Sequence, residues 1–256
     1  MPEQSGVKVF RADSPFVDEV IASPNFGERR QGNRPEMVVL HYTGMKNGET
    51  ALRRLCCRDA EVSSHYLIHE NGEIVQLVAE EHRAWHAGQS CWKGISDINS
   101  CSIGIEIVNC GHEHGYRDFP DTQMASVVQL LGDIVARHQI QPANILAHSD
   151  IAPLRKQDPG ELFDWQLLHK AGLGVWAEPA AIRPGKSLQI GQVGDGVLNY
   201  QLALQELGYE IEASGKFDDL TFACTTAFQR RYRQKKVDGI ADISTIDTLN
   251  RLLKVT

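Results

Sequence analysis

The chain has 256 residues, 42% of them hydrophobic and 23% charged, with a net charge of -7. That length suits one large domain, or a medium one plus a small one. The acidic balance argues against nucleic acid or an anionic membrane surface as the main partner, and no apolar run approaches the ~20 residues of a membrane helix.

Residues 1–35 are polar and carry Pro15, Pro24 and Pro35, which predicts an irregular arm wrapping the domain rather than a core element. The segment Met1 to Phe10 lacks a basic stretch followed by an apolar one, so no secretory signal is expected. Met37 to Tyr42 has no polar face and reads as a buried central strand ending at His41. Glu49 to Arg58 fits a helix with Ala51, Leu52 and Leu55 on one face. Ser63 to His69 and Ile74 to Leu77 flank Asn71-Gly72, a strong hairpin signal. His65 and His69 share one face of that first strand. A loop follows with Trp85-His86-Ala87-Gly88 and Cys91-Trp92; its glycine permits close backbone approach and its tryptophans offer flat apolar faces.

Ser102 to Asn109 is a strand pattern with Glu106 inside an apolar run. A carboxylate there is costly unless paired or placed at a working site. Desolvation raises its proton affinity, which suits a general base and acid. Asp121 to His138 is amphipathic, with Asp121 or Thr122 as its cap and Met124, Val127, Val128, Leu131, Ile134 and Val135 as its buried stripe. Asn144 to His148 is the next strand. It leads into Ala147 to Gly160, a turn stiffened by Pro153, Pro159 and Gly160 that carries imidazole, ammonium and carboxylate groups within a dozen residues. Two strand-end histidines, His41 and His148, plus an aspartate of this turn would make a three-ligand zinc site with one open position, as a hydrolytic zinc needs.

Phe163 to Ala171 reads as a shorter helix, and the Pro- and Gly-bearing stretch Ala177 to Lys186 as a linker. Beyond it, helices are expected over 195–207, about 218–234 and about 243–253. Leu188, Leu202, Leu204, Leu207, Phe217 and Leu249 would complete a small core. So small a bundle suits binding better than catalysis. The six cysteines, Cys56, Cys57, Cys91, Cys101, Cys110 and Cys224, match no disulfide or zinc-finger framework. Free thiols point to a reducing compartment, so the cytoplasm is the expected location, and the periplasm or envelope the alternative if a leader has been removed.

Five ordered stretches carry a resemblance: Val39 to Thr43, Ser63 to Leu67, Ala84 to Gly88, Ser102 to Glu106 and Ala147 to Gly160. They resemble the zinc-dependent N-acetylmuramoyl-L-alanine amidases of the AmpD and AmiD type. Residues ~188 to 254 resemble a three-helix peptidoglycan-binding domain, through Leu202 to Tyr209, Gly215 to Asp218, Thr221, Ala227 to Gln229 and Asp238-Gly239-Ile240.

The resemblance implies an α/β fold, a mixed central sheet flanked by helices, followed by a small three-helix domain. The catalytic domain would span 1–176, the linker 177–187 and the binding domain 188–256. It further implies one zinc ion held by His41, His148 and Asp158, with Glu106 and Lys156 catalytic. Phage relatives have a cysteine where Asp158 stands and a tyrosine near Ser64; neither is present, so Glu106 is expected to carry the proton work.

The expected reaction is hydrolysis of the amide between N-acetylmuramic acid, or its 1,6-anhydro form, and L-alanine in peptidoglycan or muropeptides. The alternatives are a zinc peptidase cutting within the stem peptide and a non-catalytic sensor, against which the complete ligand set argues. His65, Trp85, His86, Gly88, Asn109 and Arg155 are the candidates for the substrate wall. Arg83, Lys93 or Arg155 would meet stem-peptide carboxylates.

Overall fold

A computed structural model describes residues 10–256. Among the described residues eight strands form, in chain order: β1 (Glu19–Val20), β2 (Phe26–Glu28), β3 (Met37–Tyr42), β4 (Tyr66–Ile68), β5 (Ile74–Gln76), β6 (His82–Ala84), β7 (Ser102–Ile107) and β8 (Ile145–Ala147). The main sheet runs β1-β5-β4-β7-β3-β8. It is mixed: β3 and β4 each lie parallel to β7, β1 is parallel to β5, and the β4–β5 hairpin is antiparallel. That hairpin turns at Gly72, whose φ of 88° favours glycine. Helices α1 (Gly48–Leu55), α2 (Ile98–Cys101) and α3 (Asp121–His138) precede β8.

Contacts gather the chain into two compact units, one running to Gly88 and from Asn99 to Gln141, the other made of Gln89–Ile98 and Pro142–Thr256. In the first, β3 is buried along almost its whole length, as its unbroken apolar run dictates. Helix α3 buries Met124, Val127, Leu130, Leu131 and Ile134, while Val128 and Val135 lie half-exposed. Its start has no side-chain cap. Pro120 takes that position, the Asp121 carboxylate sits in the first turn, and the Thr122 hydroxyl donates to the Glu70 carbonyl. Gln123 is buried in the stripe because its amide donates to the carbonyls of Ile68 and Val108, closing the ends of β4 and β7.

The arm expected to be irregular instead contributes β1 to the sheet edge and β2 to a two-stranded antiparallel sheet with β6. Strands of two or three residues are too short to show a period. Asp13 anchors the arm by accepting from the Glu80 backbone N–H at 2.8 Å. Glu80 is itself buried, and its carboxylate accepts from Arg137, His138 and Tyr66.

In the second unit, β8 runs into a short helix, α4 (His148–Ile151), then α5 (Trp165–Lys170) and three longer helices, α6 (Asp195–Leu207), α7 (Asp219–Tyr232) and α8 (Ile243–Leu252). Asp218 and Asp242 cap α7 and α8 by accepting from the N–H groups of Thr221 and Thr245. Tyr200, Leu204, Leu207, Phe217, Phe228, Leu249 and Leu252 fill the core. Leu202, expected in it, is 47% exposed on the outer face of α6, and Leu188 is only half-buried. Gln229 accepts from the Asp238 and Gly239 N–H groups and donates to the Ile240 carbonyl. That ties the Asp238-Gly239-Ile240 turn to α7. Where a linker is expected, Ala180 exchanges hydrogen bonds with Thr248 and Ser244 of α8, and Arg251 donates to the Glu178 carbonyl.

Candidate metal centre

His41, His148 and Asp158 are all buried, and one ligand atom from each lies within 4.8 Å of the others. His41 ends the apolar run of β3. His148 opens α4, one residue past β8, and Asp158 follows the proline-bearing turn. The His148 Nδ1 to Asp158 Oδ2 distance is 3.0 Å, about the span between two ligands that each stand ~2 Å from a shared zinc ion. The Ser149 N–H donates to the Asp158 carbonyl, which holds the two ends of the turn together. Two imidazoles and a carboxylate, buried and this close, are a donor set that fits zinc with a coordination position left over.

His41 is oriented from behind. Its Nε2 lies 3.0 Å from His86 Nδ1, and His86 Nε2 lies 3.1 Å from the Ser102 hydroxyl. For His41 to ligate through Nδ1, its proton must sit on Nε2 and be donated to His86. His86 then keeps its own proton on Nε2, facing Ser102. Such partners fix the tautomer and ring plane of a metal-binding histidine. Gly104 leaves room for this chain: a Cβ there would stand 2.4 Å from His86 Cγ.

Register brings Glu106 of β7 opposite His41 of β3. Partners on parallel strands project to the same face, ~4.8 Å apart, so a half-buried carboxylate flanks His41. Lys156 is half-buried on the outer part of the turn, with its backbone N–H on the Ala152 carbonyl. Arg155 is exposed; its Nη2 lies 3.4 Å from His148 Nε2 and its Nε donates to the Gln89 carbonyl at 2.9 Å. Trp85 is half-buried and Gly88 is exposed at φ 58°.

Three residues expected on the substrate wall occupy other positions. His86 is the inner partner of His41. His65 is fully enclosed: Nδ1 accepts from the Gly104 N–H at 2.9 Å, and Nε2 lies 3.1 Å from the His82 carbonyl. Burial, and then the adjacent Arg29 guanidinium, lower its pKa to about 3, so it stays neutral. Asn109, 1% exposed, braces the loop after β7 by donating to the Arg117 carbonyl and accepting from the Gly111 N–H. Spacing along a strand does not reveal which face a later loop will cover.

Sequence reasoning passed over Ser102 and Asp150. Asp150 stands third in α4, where a carboxylate can reach back to the first backbone amides. It accepts from the Ala147 N–H at 2.9 Å.

Comparison with known proteins identifies relatives by sequence and by fold. The N-acetylmuramoyl-L-alanine amidase family model matches residues 31–161, and a putative peptidoglycan binding domain matches residues 193–249. N-acetylmuramoyl-L-alanine amidase AmiD of Escherichia coli (strain K12) is 34% identical over 237 residues, 86% of this chain and 83% of that protein. 1,6-Anhydro-N-acetylmuramyl-L-alanine amidase AmpD of Enterobacter cloacae is 32% identical over 166 residues, 58% of this chain and 87% of its own. The solved complex of E. coli AmiD with anhydro-N-acetylmuramic acid-L-Ala-D-gamma-Glu-L-Lys superposes with a TM-score of 0.72 at 34% identity, covering 90% of this chain and 98% of that one. AmpDh3 of Pseudomonas aeruginosa, in complex with anhydromuramic pentapeptide, superposes with a TM-score of 0.71 at 28% identity, covering 98% and 97%.

Proposed function

This chain belongs to the N-acetylmuramoyl-L-alanine amidase family, and from that membership we propose that it hydrolyses the amide between N-acetylmuramic acid, or its 1,6-anhydro form, and L-alanine. The observation that carries the reading is the buried His41–His148–Asp158 group with Glu106 in register beside it. A zinc ion held there supplies Lewis-acid polarisation and a more acidic water, with a pKa near ~7. Glu106 takes the proton of the attacking water and delivers it to the departing alanine nitrogen. The Lys156 ammonium neutralises charge developing on the carbonyl oxygen; removing such a donor costs roughly 10²–10³ in rate. His86 holds the His41 ring in its working tautomer. Trp85, Gly88 and Arg155 are the remaining candidates for the substrate wall, with Arg155 suited to a stem-peptide carboxylate.

We assign residues 1–176 to catalysis, 177–187 to the connection and 188–256 to holding peptidoglycan. The binding-domain match over 193–249 supports the last assignment. Among the described residues no helix is long and apolar enough to cross a membrane. The six free cysteines support a reducing compartment.

Digesting defined muropeptides and weighing the products tests the reaction. Release of an intact peptide beginning at L-alanine is expected. Fragments cut within the stem would replace the amidase with a peptidase.

A further inference from the structure

Helix α7 places a cation where its apolar stripe calls for a hydrophobic residue. Cys224, Ala227 and Phe228 are fully buried, and Arg231, the next position on that face, is 2% exposed. Its guanidinium lies over the Trp165 ring, 4.2 Å from the centroid, and 4.8 Å from that of Tyr232. One arm donates to the Ile145 carbonyl at the start of β8, at 2.8 Å. The other donates to Asp150 Oδ2. The same carboxylate accepts from the Tyr209 hydroxyl through Oδ1 at 3.0 Å and from the Ala147 N–H through Oδ2. Tyr209 follows α6, and its ring packs edge-on against Trp92, 5.2 Å between centroids. Asp150, 1% exposed, is thus held by two residues of the three-helix segment and by the backbone of the turn that presents His148.

We infer that Arg231 and Tyr209 are positioning residues for the metal centre: acting through Asp150, the helical segment at the end of the chain sets the shape of the turn carrying His148 and Asp158. Arg231 spans the turn from Ile145 on the strand to Asp150 in α4, so it fixes the angle at which the chain leaves β8. His148 is the first residue after that exit. A neighbouring contact has the same sense, since Arg230 Nη2 lies 3.3 Å from Gln157 Oε1, one residue before Asp158. The segment assigned above to holding peptidoglycan therefore also builds the centre. This extends the metal reading of the site and rests on it.

The test uses the full-length chain and three variants, R231M, Y209F and D150N, together with the double variant D150N/R231M. Methionine keeps the volume over Trp165 but removes both hydrogen bonds; phenylalanine removes only the hydroxyl. Three quantities are read: the zinc dissociation constant by chelator competition, kcat and KM on a soluble muropeptide, and amide exchange at Ala147 and Ser149 in the metal-free protein. Partners behind metal ligands are worth roughly 10–100-fold in affinity. R231M is expected to weaken zinc at least tenfold, Y209F several-fold, both lowering kcat with KM unchanged and speeding exchange at Ala147. The double variant is expected to match D150N. A purely structural role would lower the melting temperature and leave these readouts within twofold of the parent chain, which would overturn the inference. If R231M does not fold, Y209F decides by the same criterion. If the parent binds no zinc, the metal reading fails, and the exchange measurement still decides whether Arg231 shapes the turn.

Discussion

Replacing Gly104 by alanine should perturb the candidate metal centre without touching His41, His148 or Asp158. Gly104 sits in the middle of β7, and an added Cβ would stand 2.4 Å from Cγ, 2.6 Å from Cδ2 and 2.7 Å from Nδ1 of His86. These distances are well inside van der Waals contact, and His86 is buried, so the ring must shift. Overpacking of this kind costs about 1–3 kcal/mol. Displacing Nδ1 also breaks the 3.0 Å contact with His41 Nε2, a further ~1 kcal/mol. The expected fall in stability is about 2–4 kcal/mol. The expected loss of zinc affinity is about 10–100-fold, the range for partners behind a metal ligand. Thermal unfolding and chelator competition measure the two effects. Removing the ring as well, in G104A/H86A, frees the space, so the alanine should cost less there than in the parent. The reasoning fails if G104A keeps the parent's melting temperature and binds zinc within twofold.

Other substitutions probe separate parts of the site and its scaffold. E106Q preserves the shape of the carboxylate but not its basicity, so zinc content should stay at the parent level while muropeptide turnover falls at least 10²-fold; retained turnover would move the proton transfer elsewhere. Two groups set acid sensitivity. Burial tends to raise the Glu80 pKa, but hydrogen bonds from Arg137, His138 and Tyr66 prevail and lower it from 4.5 to about 2. Its stabilising contribution is complete above pH 4.5, amounts to about 3 kcal/mol, and is lost as pH falls towards 2. His65 is lowered from 6.5 to about 3, so its contribution is present above pH 6.5 and declines as pH falls towards 3. Urea unfolding between pH 7 and pH 3 should show a monotonic loss, and R137M should flatten the part below pH 4.5. L202S, on the exposed face of α6, should change stability by no more than about 0.5 kcal/mol; a larger loss would place Leu202 in a core.

Much of this architecture is written in local pattern. The apolar run Met37 to Leu40, carried on through His41 and Tyr42, and the 3.6-residue period from Asp121 to His138 yield β3 and α3 with matching bounds. Asn71-Gly72 yields the β4–β5 hairpin. Glu106 stood out because a carboxylate inside an apolar strand needs a reason. The short strands β1, β2 and β6 escaped because two or three residues carry no period, and their pairing is set by distant partners. His65 and His86 read as substrate-wall residues because the local pattern around a histidine looks the same whether a later loop covers it or not. Arg231 was legible in principle: counting 224, 227, 228 and 231 puts a cation on the buried stripe of α7. What the period cannot supply is the partner, Asp150, eighty-one residues earlier in the chain.

Elemental analysis of the purified chain, beside variants in which His41, His148 and Asp158 are each replaced by alanine, bears most directly on the metal centre. One zinc per parent chain, and under a tenth of that in each folded variant, is the predicted result. A parent chain that takes up no zinc, or variants that retain it in full, would contradict the assignment of these three side chains.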